Sequence, residues 1–156
     1  MRIHLLAVGT RMPGWVTAGY LEYARRLPRE CSLQLVELPV ARRGKNFSVQ
    51  QVRAEEGRQL LAALPRDCFV IALDEHGSPW TTAQLAGHLG QWLGSGRDVA
   101  LLVGGPDGLD ADCLARADLR WSLSGLTFPH ALVRVLLAEQ LYRAWSLISG
   151  HPYHRA

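Results

Sequence analysis

Short apolar runs alternate with longer amphipathic stretches along the whole chain. The apolar runs predict five strands, at residues 3–8, 31–38, 68–73, 99–103 and 119–123. The stretches that follow them predict five helices, at about residues 15–26, 48–64, 81–93, 111–117 and 130–149. Because the strands are apolar on both faces and alternate with helices, the pattern predicts an α/β fold, a mainly parallel sheet with helices on both faces.

Composition and charge narrow the class of protein. With 48% hydrophobic and 20% charged residues, residues 1–156 are expected to form a single domain. The net charge of +3 permits an acidic partner such as RNA but does not require one. No apolar run approaches the ~20 residues of a membrane span. Cys31, Cys68 and Cys113 form no metal-binding or disulfide pattern, so no metal is expected and the cytoplasm is the expected location.

Ligands of open parallel sheets bind at the carboxyl ends of the strands, where three loops are predicted at 74–80, 104–109 and 124–129. The loop at 104–109 holds three glycines and a proline, so its backbone can approach a ligand closely. A tight turn between strand and helix explains the same residues equally well. Neither a P-loop nor a dinucleotide-binding fingerprint is present, which leaves room for an adenosyl ligand held by main-chain groups.

The predicted helix at 130–149 is apolar nearly all round: Arg134 lies on an otherwise apolar face, and leucines lie among Glu139, Gln140 and Arg143 on the opposite side. Such a helix must be covered on most sides, which favours a subunit interface, although a central core helix remains the alternative. His130 follows Pro129 at the helix start, where a neutral imidazole can serve as a base.

Two basic segments are candidate RNA contacts. Arg42, Arg43 and Lys45 lie in a predicted loop that is either a solvated surface loop or a phosphate-binding one. The final residues, 151–155, combine histidine, tyrosine and arginine, which stack on bases and bind phosphate. A frayed end without function is the alternative interpretation of this tail.

A set of motifs runs nearly the whole chain in a fixed order. The motifs are LLAVGTRMPGWV, RRGKN, IALDEHG, LLVGGPDGL, WSLSGLTFPHALVRVLLAEQLYRAWS and the final HPYHR. Together they resemble the SPOUT-class RNA methyltransferases, and most closely the ribosomal RNA large-subunit methyltransferase H group. The resemblance implies a trefoil knot over about residues 68–156, a homodimer and S-adenosylmethionine as the cofactor. It also implies methylation of N3 of a pseudouridine in 23S rRNA on assembled ribosomes.

The resemblance also implies roles for individual residues. The cofactor-binding residues it implies are Leu73, Gly104, Gly105, Leu123, Ser124, Gly125, Leu126, Thr127 and Phe128. The catalytic residues are His130 and, from the partner subunit, His154 and Arg155. The substrate-binding residues are Arg42, Arg43, Lys45, Arg134 and Tyr153. Two departures from the family pattern bear on cofactor affinity: no lysine lies near Ser78, and Gly125 stands where alanine is common.

Three other functions compete with this interpretation. A non-catalytic ribosome-binding protein would not need the intact glycine loop. A knotted methyltransferase for tRNA is disfavoured because the sequence offers no added tRNA-binding domain. A flavodoxin-like nucleotide-binding enzyme is disfavoured by the missing phosphate-binding motif.

Overall fold

Five parallel strands form one sheet in the computed structural model, which describes residues 1–155. The strands are β1 (Arg2–Val8), β2 (Ser32–Leu38), β3 (Phe69–Pro79), β4 (Val99–Val103) and β5 (Leu119–Ser122). Their order across the sheet is β2-β1-β4-β3-β5, and every neighbouring pair is parallel. The parallel sheet predicted from the apolar runs is therefore confirmed.

Helices cover both faces of this sheet. They are α1 (Gly14–Ala24), α2 (Val49–Ala62), α3 (Thr82–Ser95), α4 (Ala111–Arg116) and α5 (His130–Ser149). On one face α5 packs between α1 and α3, and on the other face α2 packs beside α4. Short 3-10 turns at Arg29–Cys31 and Pro152–Arg155 complete the secondary structure of the described residues.

The central strand β4 shows why the sheet is buried on both sides. Leu101 joins the core cluster beneath α1, α3 and α5, whereas Leu102 joins the smaller cluster beneath α2 and α4. Successive side chains of a strand point to opposite faces, so a strand covered on both faces must be apolar at every position.

The loop predicted at 74–80 is wrong, because β3 continues through it to Pro79. After an irregularity between Leu73 and Ser78, the strand resumes its pairing with the edge strand β5. A Cβ on Gly77 would lie 2.6 Å from the backbone carbon of Arg120, so only glycine allows this close approach. The polar side chains of this extension hid the strand from the hydrophobic pattern.

Local capping signals set the helix starts. Ser48 and Thr81 each accept a hydrogen bond from the backbone N–H three residues later. The side-chain oxygens of Gln51 and Gln84 in turn accept a hydrogen bond from the backbone N–H of the capping residue.

None of the helices within residues 1–155 combines the length and the hydrophobicity that a membrane span requires. The trefoil knot and the subunit interface on α5 stay predictions.

Candidate active site

The predicted cofactor-binding residues meet at one edge of the sheet. The strands β4, β3 and β5 are neighbours, and parallel strands end at the same edge. Ala72 pairs with Leu102 and Leu73 pairs with Trp121, so Leu73 lies level with the ends of both neighbouring strands. The fold therefore brings Leu73, the loop after β4 and the loop after β5 together.

The loop after β4, residues 104–108, is called the glycine loop below. The Gly108 N–H donates a hydrogen bond to the Gly105 carbonyl at 2.9 Å, and Gly108 has a φ of +81°. A Cβ on Gly104 would lie 2.6 Å from the backbone carbon of Gly108. The tight-turn explanation of the glycines is therefore correct. The turn leaves Gly104 at the carboxyl edge of the sheet, where the predicted cofactor-binding residues lie; this edge is called the cofactor edge below.

The loop after β5 presents an uncovered leucine. The Leu126 N–H donates to Ser124 Oγ at 2.9 Å, which holds the loop in a local turn. The Leu126 side chain nevertheless remains 73% exposed, and the space around the Gly125 Cα is open. A loop held in a local turn with an exposed apolar side chain suits a ligand that has an apolar surface to cover.

His130 stands beside this edge, at the first turn of α5. Its Nε2 lies 3.6 Å from where a Cβ on Gly9 would stand, and Gly9 follows β1 with a φ of +120°. Because Ala7 pairs with Val103, the end of β1 adjoins the glycine loop. The imidazole is therefore next to the strand ends where the predicted cofactor-binding loops meet.

Arg134, predicted to bind substrate, is engaged within the protein. Only 1% of its side chain is exposed, and it donates to the Gly9 carbonyl at 2.6 Å and to Glu37 Oε2 at 2.5 Å. The guanidinium thus joins α5 to the ends of β1 and β2. Its Nε has no hydrogen-bond partner among the described residues.

The sequence did not single out Tyr20, whose buried hydroxyl lies near Arg134. This hydroxyl has no hydrogen-bond partner within residues 1–155. Burial raises the pKa of Tyr20 to about 12, and the Arg134 charge opposes that rise. Tyr20, Glu37 and Arg134 line a groove of about 520 Å³ between α1 and β2. Only the tertiary contact with Arg134 distinguishes this tyrosine from an ordinary core residue.

The basic loop, residues 41–46, is tied to the glycine loop. Arg43 forms an ion pair with Asp107 at 2.6 Å, whereas Arg42 and Lys45 are exposed and have no ion pair in the described part of the chain. Two of the three predicted RNA-binding cations are thus free to meet phosphate, and the third is bound to an aspartate that sequence reasoning missed.

The C-terminal tail, residues 150–155, folds back onto α5. The Tyr153 hydroxyl donates to Glu139 Oε1 at 2.9 Å, and the Arg143 guanidinium lies 4.9 Å from the centre of the tyrosine ring. Burial and this hydrogen bond raise the pKa of Tyr153 to about 12. His154 Nδ1 lies 3.3 Å from Ser146 Oγ, and Arg155 is exposed.

These contacts separate the tail from His130 within one chain. Ser146 lies 16 residues after His130 on the same helix. At the helical rise per residue, that spacing is about 24 Å. The predicted catalytic residues His130, His154 and Arg155 therefore do not meet in a single chain. Among residues 1–155, no group of His, Cys, Asp and Glu side chains has the arrangement of a metal site.

Comparison with known proteins gives the same family as the motifs. The family model described as a predicted SPOUT methyltransferase matches residues 1–154. Over 156 residues, the chain is 64% identical to ribosomal RNA large subunit methyltransferase H of Alkalilimnicola ehrlichii, covering 100% of both chains. Over 155 residues, it is 63% identical to the protein of the same name from Thioalkalivibrio sulfidiphilus, covering 99% of each chain.

A solved structure agrees on the fold. The probable methylase family protein from Haemophilus influenzae Rd KW20 matches with a TM-score of 0.56 and 14% sequence identity. The match covers 97% of this chain and 69% of that protein's chain. The resemblance seen in the motifs is therefore confirmed, and the chain belongs to the SPOUT methyltransferase family, close to the enzymes named ribosomal RNA large subunit methyltransferase H.

Proposed function

We propose that this protein transfers a methyl group from S-adenosylmethionine to N3 of a pseudouridine in 23S rRNA. One observation carries the proposal: Leu73, the glycine loop, the loop after β5 and His130 converge on one edge of a SPOUT methyltransferase fold. The names of the two relatives, identical at 63% and 64% of positions, support large-subunit rRNA as the substrate.

The residues at this edge suit an adenosyl cofactor. Leu73 and the exposed Leu126 offer apolar surface for a purine ring, and the loops around Gly104 and Ser124 offer backbone groups. When bound, the cofactor supplies an electrophilic methyl group, so the protein need only position and deprotonate the acceptor nitrogen. Leu123, Gly125, Thr127 and Phe128 complete the same loop, and Gly105 continues the glycine loop.

His130 is the proposed base or orienting group for the acceptor nitrogen. The imide N3–H of pseudouridine is a poor nucleophile until its proton leaves. An imidazole that accepts this proton would leave the nitrogen electron-rich, in line with the methyl group. The position of His130 beside Gly9, where β1 meets the cofactor edge, supports this role.

The remaining proposed catalytic groups would come from a second copy of the chain. Within one chain, His154 and Arg155 lie at the far end of α5 from His130. A homodimer that places the tail of one copy at the cofactor edge of the other would unite them. Leu147 and Ile148 are exposed at 39% and 45% near that end of α5, and such surface favours burial against another chain.

The rRNA would be guided by the basic loop and the tail. Arg42 and Lys45 are exposed cations beside the glycine loop, where they can contact phosphates without base specificity. Tyr153 would stack on or hydrogen-bond the nucleotide after its hydroxyl leaves Glu139. With a net charge of only +3, the protein is expected to recognise an assembled ribosome, and hence to act in the cytoplasm.

The direct test is methyl transfer from labelled S-adenosylmethionine to ribosomes from a strain that lacks this modification. Digestion and mass spectrometry then identify the modified nucleoside. Labelled N3-methylpseudouridine in large-subunit RNA is the expected product. Total tRNA is offered to the enzyme in a parallel reaction. Label in tRNA and none in ribosomes would show that the protein is a methyltransferase whose substrate is tRNA instead of rRNA.

Protein-free 23S rRNA is the control that tests whether the assembled ribosome is required for methylation. We expect intact ribosomes to be methylated much faster than the same RNA freed of protein. Equal rates on the two substrates would show that RNA alone is recognised.

A further inference from the structure

Glu56 is a buried carboxylate that the proposed chemistry does not use. It lies on α2, is 2% exposed, and its Oε2 accepts a hydrogen bond from the Ala41 N–H at 3.1 Å. Its Oε1 has no hydrogen-bond partner among residues 1–155. Burying a carboxylate oxygen without a donor is unfavourable, so some other constraint must hold this side chain in place.

The other side of Glu56 touches the glycine loop. A Cβ on Gly105 would stand 3.0 Å from Oε1 and 3.3 Å from Oε2 of Glu56. The carboxylate therefore packs directly against the Gly105 backbone while it holds Ala41, the first residue of the basic loop. One side chain thus contacts both the loop proposed to face RNA and the loop proposed to help hold the cofactor.

A second contact joins the same two loops. The Arg43 guanidinium pairs with Asp107 at 2.6 Å, and the Asp107 side chain is only 20% exposed. Asp107 sits inside the turn that the Gly108-to-Gly105 hydrogen bond closes. The ion pair and the Glu56 contact involve different residues of each loop, so together they restrict the relative orientation of the two loops as well as the distance between them.

The helix that carries Glu56 is itself held close to this region. A Cβ on Gly57 would lie 2.3 Å from Asp110 Oδ1, the atom that caps α4 by accepting the Cys113 N–H at 2.9 Å. Only a glycine permits this approach of α2 to the start of α4. The position of Glu56 is therefore set by the fold.

We propose that Glu56 and the Arg43–Asp107 ion pair are positioning elements that couple RNA binding to cofactor binding. The inference rests on the proposed function, in which the glycine loop helps hold S-adenosylmethionine and the basic loop faces rRNA. Because these contacts link the arrangements of the two loops, a ligand that favours one arrangement of either loop also favours the matching arrangement of the other. Such coupling is reciprocal, so each ligand tightens the binding of the other by the same factor.

The role of Glu56 is tested by the affinity for S-adenosylmethionine, measured by calorimetry in the absence of RNA. We expect Glu56→Ala to weaken binding about tenfold, the effect of losing a buried hydrogen bond to a charged group. Glu56→Gln keeps an acceptor for Ala41 and the shape against Gly105, so its affinity should stay within about twofold of wild type.

Glu55→Gln is the matched control, because Glu55 is the neighbouring residue and, among residues 1–155, its side chain hydrogen-bonds only Arg58 and Gln59. Its affinity should equal that of wild type. Amide exchange separates local from global effects: in Glu56→Ala the Gly108 N–H should exchange faster, while the buried β4 amides stay protected.

The coupling is tested with Asp107→Asn, which removes the ion pair at a partly exposed position. Wild-type protein should bind S-adenosylmethionine at least about fivefold more tightly when large-subunit rRNA or ribosomes are present. Asp107→Asn should show most of that gain lost. The inference would be overturned if RNA did not raise the affinity of wild-type protein for S-adenosylmethionine, or if Asp107→Asn kept the full gain in affinity. It would also be overturned if Glu56→Gln bound the cofactor as weakly as Glu56→Ala. Wild-type protein that binds no S-adenosylmethionine would contradict the proposed function instead.

Discussion

At the scale of single residues, the site depends on glycines that are required for different physical reasons. Gly104 is required because a Cβ at this position would lie within 2.9 Å of the backbone of Gly108 and Leu109. Gly108 is required by its positive φ, a conformation that side chains disfavour. Gly87, on the exposed side of α3, has open space around it and no such requirement. Glycine is therefore essential at positions 104 and 108 and replaceable at position 87.

Gly104→Ala tests this distinction. The added methyl group would lie 2.6 Å from a backbone carbon, so the glycine loop must shift and cofactor affinity should fall at least about tenfold. Unfolding free energy should also fall, by about 1–3 kcal/mol, through overpacking. Calorimetric titration and chemical denaturation measure the two quantities.

Gly87→Ala is the control for Gly104→Ala. In an exposed helix interior, alanine is favoured over glycine by about 0.5–1 kcal/mol, so this variant should be slightly more stable and bind cofactor normally. Normal cofactor binding by Gly104→Ala would show that the loop tolerates the shift.

At the scale of elements, Arg134 connects three pieces of secondary structure. Its guanidinium, on α5, binds the carbonyl that follows β1 and a carboxylate of β2. Glu37 lies 97 residues earlier in the chain. A cation on an apolar helix face looked like a substrate contact in the sequence, and the fold shows that it already has partners at the strand ends.

Arg134→Met should lower the unfolding free energy by about 2–3 kcal/mol. The methionine fills much of the volume, but the Gly9 carbonyl and Glu37 lose their donor. This loss lies at or below the lower limit of about 3 kcal/mol for breaking a buried pair, because Glu37 is 37% exposed and can be hydrated. Denaturant titration measures the change.

Arg116→Met serves as the comparison for Arg134→Met. Arg116 pairs with Asp118 at 3.6 Å on the surface, where ion pairs contribute about 0–1 kcal/mol. Equal destabilisation by the two variants would mean that the buried contacts of Arg134 add nothing to stability.

At the scale of the whole molecule, one chain holds the parts of the proposed site without uniting them. The cofactor edge and His130 lie at one end of α5, and the tail lies at the other. A symmetric homodimer in which the tail of each copy lies at the cofactor edge of the other would complete two equivalent sites. Tyr153 packs the tail against its own α5, so the tail has a defined position from which it could contact a second copy.

Mixing two inactive variants tests whether subunits share the site. His130→Ala and His154→Ala should each lower turnover strongly while cofactor affinity changes little. A mixed dimer would contain one site with both histidines intact, so random mixing should restore about a quarter of wild-type activity. Methyl transfer to ribosomes, before and after subunit exchange, measures the recovery. Confirmed mixed dimers without recovery would place both histidines outside a shared site.

Local pattern alone determined the elements. The strand at Val99–Val103 and the helix at His130–Ser149 have the predicted bounds, residue for residue, because hydrophobic period and flanking glycine or proline are properties of neighbouring positions. The ordered motifs determined the family, whereas the strand order became known only from the tertiary structure. The capping role of Ser48 was likewise visible in the sequence.

Only the tertiary structure decided which candidate side chains already have hydrogen-bond or ion-pair partners within the protein. The extension of β3 depends on the edge of β5, the partners of Arg134 and Glu56 lie in distant segments, and the tail binds the end of α5. Such contacts join residues far apart in sequence and leave no periodic signal between them. The amino-acid sequence by itself therefore determined the fold class and the candidate chemistry. Burial and long-range hydrogen bonds in the tertiary structure decided which of the candidate side chains remain free to act.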